Sequence, residues 1–366
     1  MTTVQKDILS KAISTAVKAV GSNPVIPLLA NILFESNNGS SRVAGTNLEI
    51  GISHSFPSNG EEFRTCIPAR VVSSLVDALN TEEIELQLDP ANQSIMVMTE
   101  SSTSNIHCAP ADEFPDIPKV TQPSFTLPVV QFKEMIQRVA FASSANVDQS
   151  PILCGVQLSI EGKKLVMFAV DGFHSSYEDI TLLAVKRSEN IPFIVKGTTL
   201  ETISRILPDD GILSVQVEEN KALFHCGEVD IVTQLVTGKF PDHKQLHAAI
   251  ATPETTLTIS TMELMQAARQ LRVFVADSGK SKLSITGMLL RYSAVTQEKG
   301  DSDITFAAAK KGKDVEVGVN VNLLHELLEV CKTEYITVEI ADARSPIVFK
   351  MKDFDSFYHV IMPIVL

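Results

Sequence analysis

Two short motifs contain the residue types that bind metal ions. His107-Cys108 and His225-Cys226 each place two good zinc ligands side by side. A structural zinc site needs four ligands, and no C-x-x-C spacing accompanies either pair. The sequence therefore predicts no metal site.

Two other motifs could hold a phosphate or another anion. Ser278-Gly279-Lys280-Ser281 ends like a phosphate-binding loop, but Phe274 occupies the position where that motif needs its first glycine. Lys196-Gly197-Thr198-Thr199 lies between a predicted strand and a predicted helix, where backbone N–H groups can hold an anion. A polar loop and a threonine N-cap are the simpler interpretations.

The motifs of common enzyme classes are absent from the sequence. It contains no G-x-S-x-G motif, no dinucleotide-binding fingerprint and no convincing pair of carboxylates. Nothing in these residues requires catalysis or a cofactor, so we expect neither. An unrelated acidic α+β enzyme is the alternative, and it would need a chemical pocket that these residues do not indicate.

The elements that position these residues repeat about every third of the chain. Each third begins with an amphipathic helix, and the apolar residues between Val4 and Val20 have helical spacing in the first. Each third also has a strand that leads into a second helix, followed by short strands such as 83–88, 94–98, 213–217 and 335–340. The predicted helices span residues 4–20, 68–79, 128–142, 196–207, 261–274 and 321–332.

The first two thirds end in similar residues. Glu113-Phe114-Pro115 closes one and Lys239-Phe240-Pro241 closes the other, and short segments that end at Pro123 and Pro253 then have the composition of connectors. These signals divide the chain into domains of residues 1–120, 121–247 and 248–366. Three unrelated α+β domains of similar size are the alternative interpretation.

The predicted helices differ in charge from the whole chain. With 31 Lys and Arg against 44 Asp and Glu, the chain has a net charge of −13, which by itself argues against non-specific nucleic-acid binding. The six predicted helices together are slightly positive, mainly on their polar faces. If these faces line one concave surface, that surface attracts a polyanion. Ordinary solvated helix faces are the alternative.

Cysteine usage and hydropathy bear on the cellular location. The five cysteines are scattered and odd in number, which is typical of reduced thiols in a cytoplasm. No apolar run is long enough to cross a bilayer, and the first residues contain no apolar signal core. We therefore expect a cytoplasmic protein that has no membrane partner.

Seven ordered segments resemble those of one known family. For example, Gly45-Thr46-Asn47-Leu48-Glu49 matches its G-T-[DN]-L-E pattern, and the closing residues resemble its V-M-P-[ML]-x-L ending. Over its full length the chain is similar to the bacterial DNA polymerase III β subunit, the β sliding clamp. The segments are residues 23–33, 45–50, 67–70, 113–115, 170–174, 238–242 and 358–366.

The resemblance implies a fold, an assembly and a set of partners. The fold is α+β, with three tandem DNA clamp domains that each pack two helices on antiparallel sheets. Two chains would form a head-to-tail ring around double-stranded DNA, held by topology and without sequence preference. Short linear motifs would attach the DNA polymerase III α subunit, the clamp loader, other polymerases and repair proteins. A clamp-like interaction scaffold that does not load on DNA is the alternative.

Ten basic residues are the candidates for contact with DNA. Arg70 and Arg205 match helix positions that contact DNA in the family. The others follow only from helix placement, and surface ion pairs could explain some of them. The first loop, at Ser22-Asn23, lacks the basic residue that clamps often have there. The weaker candidates are Lys6, Lys11, Lys18, Lys133, Arg138, Lys196, Arg269 and Arg272.

The resemblance also implies an apolar groove that takes short peptides. Here His174 replaces a usual Arg, Ser175 a usual Leu and Val365 a frequent basic residue, so peptide binding is expected to be weaker or altered in preference. A final strand packed into the core is an additional interpretation of the apolar chain end. The predicted groove residues are Leu153, Val170, Gly172, Phe173, His174, Pro241, Leu246, Pro346, Val360, Met362, Pro363 and Ile364.

A seam between two copies of the chain is the last predicted site. In the family, a helix of the last domain packs beside the edge strand of the first domain. The matching apolar residues are Val273 and Phe274 on one side and Ile106 on the other. Packing within the core is nearly as good an explanation for each of the three.

Overall fold

The computed structural model describes residues 1–21, 23–146, 150–186, 192–275, 279–297 and 299–365. Ser22, Ser278 and Leu366, which belong to three of the motifs above, lie outside these residues. The chain divides into two compact units. Unit 1 is Met1–Val130, Leu183–Arg187 and Thr202–Leu235, and unit 2 is Gln131–Leu182, Ser188–Glu201 and Val236–Leu366.

The described residues contain seven α-helices. Six of them correspond to the predicted helices, and their ends differ from the predicted ends by at most three residues. The short helix α5 was not predicted. The helices are α1 (Lys6–Val17), α2 (Ala69–Ala78), α3 (Val129–Val139), α4 (Gly197–Ile206), α5 (His243–Ala248), α6 (Thr261–Arg272) and α7 (Val321–Val330).

The same residues contain 26 strands, and every pair of neighbouring strands is antiparallel. The strands β1 to β26 are, in chain order, Thr2–Gln5, Asn31–Asn37, Gly39–Thr46, Ile50–Gly60, Phe63–Pro68, Glu83–Asp89, Ser94–Met98, Thr103–His107, Phe125–Pro128, Gly155–Glu161, Lys164–Val170, His174–Thr181, Ala184–Val185, Phe193–Lys196, Ile212–Val217, Lys221–Cys226, Val229–Gln234, Thr255–Ser260, Lys280–Thr286, Leu289–Thr296, Gly300–Ala307, Ala309–Gly312, Val315–Asn320, Tyr335–Ile340, Ile347–Met351 and Phe357–Ile361.

Unit 1 is built on one sheet of 13 strands, in the order β13-β9-β15-β16-β17-β4-β1-β6-β7-β8, with β2, β3 and β5 branching from β4. Helices α1 and α2 pack on this sheet through apolar faces that include Leu9, Ile13 and Val72. Gly45 of β3 lies under α1, since a Cβ on it would come within 2.3 Å of the carbonyl oxygen of Ala16. The G-T-N-L-E motif therefore begins with a glycine because the helix and strand approach closely there.

The first predicted helix begins two residues later than the apolar pattern indicated. Val4 lies in β1, where it pairs with Ile84 of β6. Thr2 and Val4 are buried while Gln5 is exposed, which is the two-residue alternation of a strand. The prediction that the helix starts at Val4 was wrong, because a buried apolar residue fits both periods and only the pairing with β6 decides between them.

Unit 2 contains two sheets and one extended core. A nine-stranded sheet has the order β14-β10-β11-β12-β26-β25-β24-β18-β22, and a four-stranded sheet has the order β21-β20-β19-β23. Helices α6 and α7 bury Leu264, Leu271, Leu324 and Leu328 in a core that includes residues of both sheets. Strands β11, β12 and β26 are neighbours, so residues far apart in sequence line one region of the sheet.

One local arrangement recurs six times along the chain. A strand leads without a loop into each of the six predicted helices, in the joins β1–α1, β5–α2, β9–α3, β14–α4, β18–α6 and β23–α7. Two such joins in each third, separated by antiparallel strands, make three tandem α+β domains. The repeat predicted from the sequence is confirmed.

Candidate functional site

One cavity of about 290 Å³ lies in unit 2 beside the neighbouring strands β11, β12 and β26. The turn between β11 and β12, the residues around the end of α5 and Pro346 before β25 complete its lining. We call it the groove. Its lining has no Asp, Glu, Lys or Arg, and the polar groups come from Ser175, Tyr358 and two histidines. It can therefore hold apolar side chains and orient them by a few hydrogen bonds.

Eight of the twelve predicted groove residues line this cavity. Val170 and Val360 are nearly buried in its lining, while Phe173 is 69% exposed and Met362 is 45% exposed at its edge. An exposed phenylalanine beside an apolar cavity is typical of a binding surface. The eight are Val170, Gly172, Phe173, His174, Leu246, Pro346, Val360 and Met362.

The other four predicted residues are not part of the lining. Leu153 packs against the neighbouring apolar cluster that contains Phe168 and Phe240. The N–H of Ile364 donates to the carbonyl oxygen of Gly318 at 3.0 Å, which directs the chain end toward β23. Pro241 and Pro363 also lie outside the lining. Leu153 can therefore affect the groove only indirectly, through the Phe168 side chain in its lining.

Six lining residues were missed by the sequence analysis: Phe168, Ser175, His247, Ala249, Ile250 and Tyr358. Strand alternation could have found two of them, because Phe168 precedes Val170 by two positions and Tyr358 precedes Val360 by two. Ser175 had been noted only as a departure from the family. The three from 247 to 250 depend on α5, which the short polar segment did not reveal.

The turn between β11 and β12 is held by Asp171. One of its carboxylate oxygens accepts the backbone N–H groups of Phe173 at 2.8 Å and His174 at 2.9 Å. Gly172 has a φ of +96°, a conformation that favours glycine. The N–H of Met362 donates to the carbonyl oxygen of Phe173 at 2.8 Å, so the turn is joined to the chain end. These bonds fix the part of the groove that projects most into solvent.

One histidine and one carboxylate near the groove, His359 and Asp171, have shifted pKa values. Burial, followed by the charge of His174, holds the pKa of His359 well below its usual value. Burial raises the pKa of Asp171, but the hydrogen bond and charge of His174 and the two backbone N–H groups outweigh it, so the pKa is lowered overall. Asp171 is therefore an anion and His359 is neutral at neutral pH.

A serine–histidine contact below the groove does not make a catalytic site. The hydroxyl of Ser176 lies 2.6 Å from Nδ1 of His359. Both residues are 0% exposed, so no substrate reaches the hydroxyl. Nucleophilic catalysis requires a reactive atom that contacts its substrate.

The predicted DNA-contact residues differ in their surroundings. Lys11, Lys18, Arg70, Arg205 and Arg269 are exposed. Lys6, Lys133 and Lys196 are half-buried, and Lys6 lies 3.8 Å from a carboxylate oxygen of Asp7. Arg272 is exposed but donates to Asn322 and approaches Nδ1 of His325 at 2.9 Å. Of these nine cations, five are exposed, three are half-buried, and Arg272 is exposed but bonded to neighbouring side chains.

Arg138 is engaged inside unit 2. Its Nε and one terminal nitrogen donate to the two carboxylate oxygens of Glu178 at 2.8 and 2.7 Å, and another nitrogen reaches Glu134 at 3.3 Å. Glu178 is 0% exposed, and the guanidinium also lies 5.0 Å from the ring centre of Phe354. This side chain has no free face for a phosphate, so we leave it out of the DNA contacts proposed below.

The three predicted seam residues are also placed differently. Ile106 of β8 is only 5% exposed and packs in the core of unit 1, which is the alternative that the sequence left open. Val273 is 67% exposed just after α6, and Phe274 is half-buried. Of the three, Val273 offers the most surface to another chain.

The described residues contain no cluster of three or more His, Cys, Asp or Glu side chains able to hold a metal ion. Among them, too, no helix has both the length and the apolar character needed to cross a bilayer.

Three family models match successive parts of the chain. The model of the DNA polymerase III beta subunit N-terminal domain matches residues 1–118, that of the central domain matches residues 126–242, and that of the C-terminal domain matches residues 251–365. The matches follow one another in the order of the family's domains and together cover almost the whole chain.

Individual relatives agree with the family models. A beta sliding clamp of Staphylococcus epidermidis is 23% identical over 99% of this chain and 98% of its own length, and one of Escherichia coli K12 is 24% identical with the same coverage. The crystal structure of the DNA polymerase sliding clamp from Bacillus subtilis superposes with a TM-score of 0.94 at 21% identity, covering 100% of this chain and 99% of that one. At this identity the superposition establishes the fold.

Proposed function

The chain belongs to the DNA polymerase III beta subunit family, and from this membership we propose that it is a DNA sliding clamp. It encircles duplex DNA and tethers the replicative polymerase and other replication and repair proteins as a processivity factor. The observation that carries the proposal is the ordered match of all three family domains to three tandem repeats of one fold. The chain itself performs no catalysis in this role.

The proposed DNA contacts are few and exposed. Lys11, Arg70, Arg205 and Arg269 lie on helices, Lys18 directly follows α1, and all five residues are exposed in a chain of net charge −13. A closed ring of two chains holds DNA by topology, so these contacts need only be weak. Strong phosphate binding would slow sliding, since each released counterion adds affinity.

The groove is the proposed attachment point for partner proteins. Its lining is uncharged and aromatic, and its edge carries the exposed side chains of Phe173 and Met362. Such a surface fits a short segment that inserts apolar anchors into pockets, a common mode of peptide recognition. The DNA polymerase III α subunit, the clamp loader and repair proteins are the proposed sources of these segments.

Retention on DNA tests the clamp function. We expect that the chain, assembled by a clamp loader and ATP on a nicked circular plasmid, stays with the DNA through gel filtration at 0.2 M salt. Cutting the plasmid once should release it, because a ring slides off a free end. Equal retention before and after cutting would indicate ordinary binding, and no retention on either DNA would favour an interaction scaffold.

A further inference from the structure

One face of the three neighbouring strands β11, β12 and β26 forms the floor of the groove. Residues directly opposite each other in neighbouring strands lie on the same face of a sheet, as do residues two positions apart in one strand. Ser175 of β12 is opposite Val170 of β11 on one side and opposite Val360 of β26 on the other. All three residues line the groove, so they form a row across its floor.

A second row lies two residues away along each strand, and it is aromatic. It consists of Phe168, Tyr177 and Tyr358, which are opposite one another in the same three strands. The rings of Tyr177 and Tyr358 stack with their centres 4.7 Å apart. From α5, the ring of His243 lies 5.3 Å from that of Tyr177, and the ring of His247 lies 5.1 Å from that of Tyr358. These large side chains therefore bound the first row on one side.

Ser175 is the smallest side chain in the first row. It stands between two valines, and a further valine, Val348 of β25, is opposite Val360. The Cβ atoms of opposite residues are only about 4.5–5.5 Å apart, so a serine between two valines leaves a depression at the centre of the row. The groove has a volume of about 290 Å³, whereas an apolar cavity of about 150 Å³ in another protein holds benzene. There is therefore room for an aromatic ring above Ser175.

The hydroxyl of Ser175 gives this depression a polar floor. It makes no hydrogen bond within the described part of the chain, unlike the hydroxyl of Ser176, which lies 2.6 Å from Nδ1 of His359. Ser175 is half-buried, so water can reach its hydroxyl in the free protein. An anchor made only of hydrocarbon would displace this water without replacing its hydrogen bond, which is unfavourable. An anchor with a hydroxyl at its tip would replace the bond.

We propose that Ser175 selects a tyrosine side chain as the anchor of a peptide bound in the groove. The tyrosine ring fills the depression between Val170 and Val360, and its phenolic hydroxyl forms a hydrogen bond with the hydroxyl of Ser175, in which either oxygen can donate. A leucine leaves part of the depression empty, and a phenylalanine leaves the serine hydroxyl without a partner. The lining has no Asp, Glu, Lys or Arg, which suits a neutral anchor. This inference rests on the proposed function, because it assumes that the groove binds peptides.

Three peptides test the size and the polarity of the preferred anchor. They are capped peptides of leucine and serine that carry the same fluorescent label and differ only in one central residue, which is leucine, phenylalanine or tyrosine. Fluorescence anisotropy at pH 8 measures their affinities for the full chain. We expect the tyrosine peptide to bind about two- to tenfold more tightly than the phenylalanine peptide, the usual net contribution of one hydrogen bond. The leucine peptide should bind most weakly.

Two substitutions of Ser175 separate the hydroxyl from the depression. Ser175→Ala removes only the hydroxyl, so the tyrosine and phenylalanine peptides should bind equally and still more tightly than the leucine peptide. Ser175→Leu fills the depression, so both aromatic peptides should lose at least about fivefold in affinity, as in overpacking, while the leucine peptide binds no more weakly than before. Ser293→Leu is the matched control and should change nothing, because Ser293 is also half-buried on a strand of unit 2, β20, but lies outside the lining.

The outcomes separate this inference from the function on which it rests. Three results overturn the role of Ser175 and leave the groove assignment standing: a phenylalanine peptide that binds the unmodified protein as tightly as the tyrosine peptide, a leucine peptide that binds it most tightly, or a tyrosine preference that persists in Ser175→Ala. If none of the three peptides binds the unmodified protein, the groove assignment is overturned, and this inference with it. Retention on circular DNA would then still support the clamp itself.

Discussion

At the scale of single residues, a buried ion pair joins Arg138 on α3 to Glu178 on β12. Two hydrogen bonds of 2.7 and 2.8 Å connect the guanidinium to both carboxylate oxygens. Burying two charges costs solvation free energy that the pairing only partly recovers, whereas removing one partner leaves an uncompensated buried charge. The pair therefore makes the protein sensitive to single substitutions at these two positions.

We expect Arg138→Ala to lower the free energy of unfolding by about 3–5 kcal/mol, because Glu178 is left buried without its partner. Arg138→Met combined with Glu178→Met should lose much less, since both charges are removed together. Urea denaturation followed by circular dichroism measures the difference. Lys11→Ala is the control at an exposed helix cation, and a loss for Lys11→Ala as large as that for Arg138→Ala would contradict this explanation.

The edge of the groove provides a second prediction at this scale. Met362 lines the groove and is 45% exposed, so Met362→Ala removes contact surface with little damage to the core. We expect it to weaken a bound apolar peptide by about 1–3 kcal/mol, as for a truncated anchor contact. Leu153→Ala should have a smaller effect because Leu153 lies outside the lining. Anisotropy titration at pH 8 compares them, and unchanged affinity in both variants would argue against the groove.

At the scale of elements, the close contact of α1 with β3 depends on a residue without a side chain. Gly45 leaves only enough room for the backbone of α1, because an added Cβ would lie 2.3 Å from the carbonyl oxygen of Ala16 and 3.1 Å from Val20. The first of these neighbours is backbone in the last turn of α1, so it cannot move without shifting that end of the helix. The position of α1 on its sheet is thus set by packing rather than by helix propensity.

Gly45→Ala should therefore destabilise the protein by about 1–3 kcal/mol, the usual cost of overpacking. The midpoint of thermal unfolding measures this. Gly21→Ala is a matched control, because a Cβ there meets nothing closer than 4.0 Å. If both variants unfold at the same temperature, the close approach of α1 and β3 is not what requires glycine.

At the scale of the whole molecule, the proposed ring requires two copies of the chain. A ring needs two different ends on each protomer that are complementary to each other, as in any closed head-to-tail assembly. Val273 is the predicted seam residue with the largest exposed surface, and Ile106 is already committed to the core of unit 1. The seam is therefore expected to depend on Val273 more than on Ile106.

We expect sedimentation equilibrium at micromolar concentration to give twice the chain mass of 39.9 kDa. Val273→Asp should shift the equilibrium toward the single chain, because it buries a carboxylate in an apolar contact. Val25→Asp is the control, since Val25 is 99% exposed and was not predicted at the seam. A single-chain mass for the unmodified protein would exclude a stable ring, and equal masses for both variants would remove Val273 from the seam.

Six of the seven described helices, several strands and the family could be predicted from the sequence alone. The six helices follow from apolar spacing that repeats every three to four residues, and strands such as 335–340 follow from alternation, because both patterns depend only on neighbours in the chain. The family follows from short motifs whose order and spacing survive at 23–24% identity to its members. Val4 was assigned wrongly, because a single buried apolar residue fits both the helical and the strand periodicity.

Only the tertiary structure decided which side chains are available to a partner. Arg138 and Lys11 are both helix cations in the sequence, yet Arg138 is paired with buried Glu178 and Lys11 is exposed. The groove likewise combines Phe168, the end of α5 and Tyr358, which are separated along the chain by up to about half its length. Burial and pairing depend on contacts between distant segments, and no periodicity within one segment contains that information.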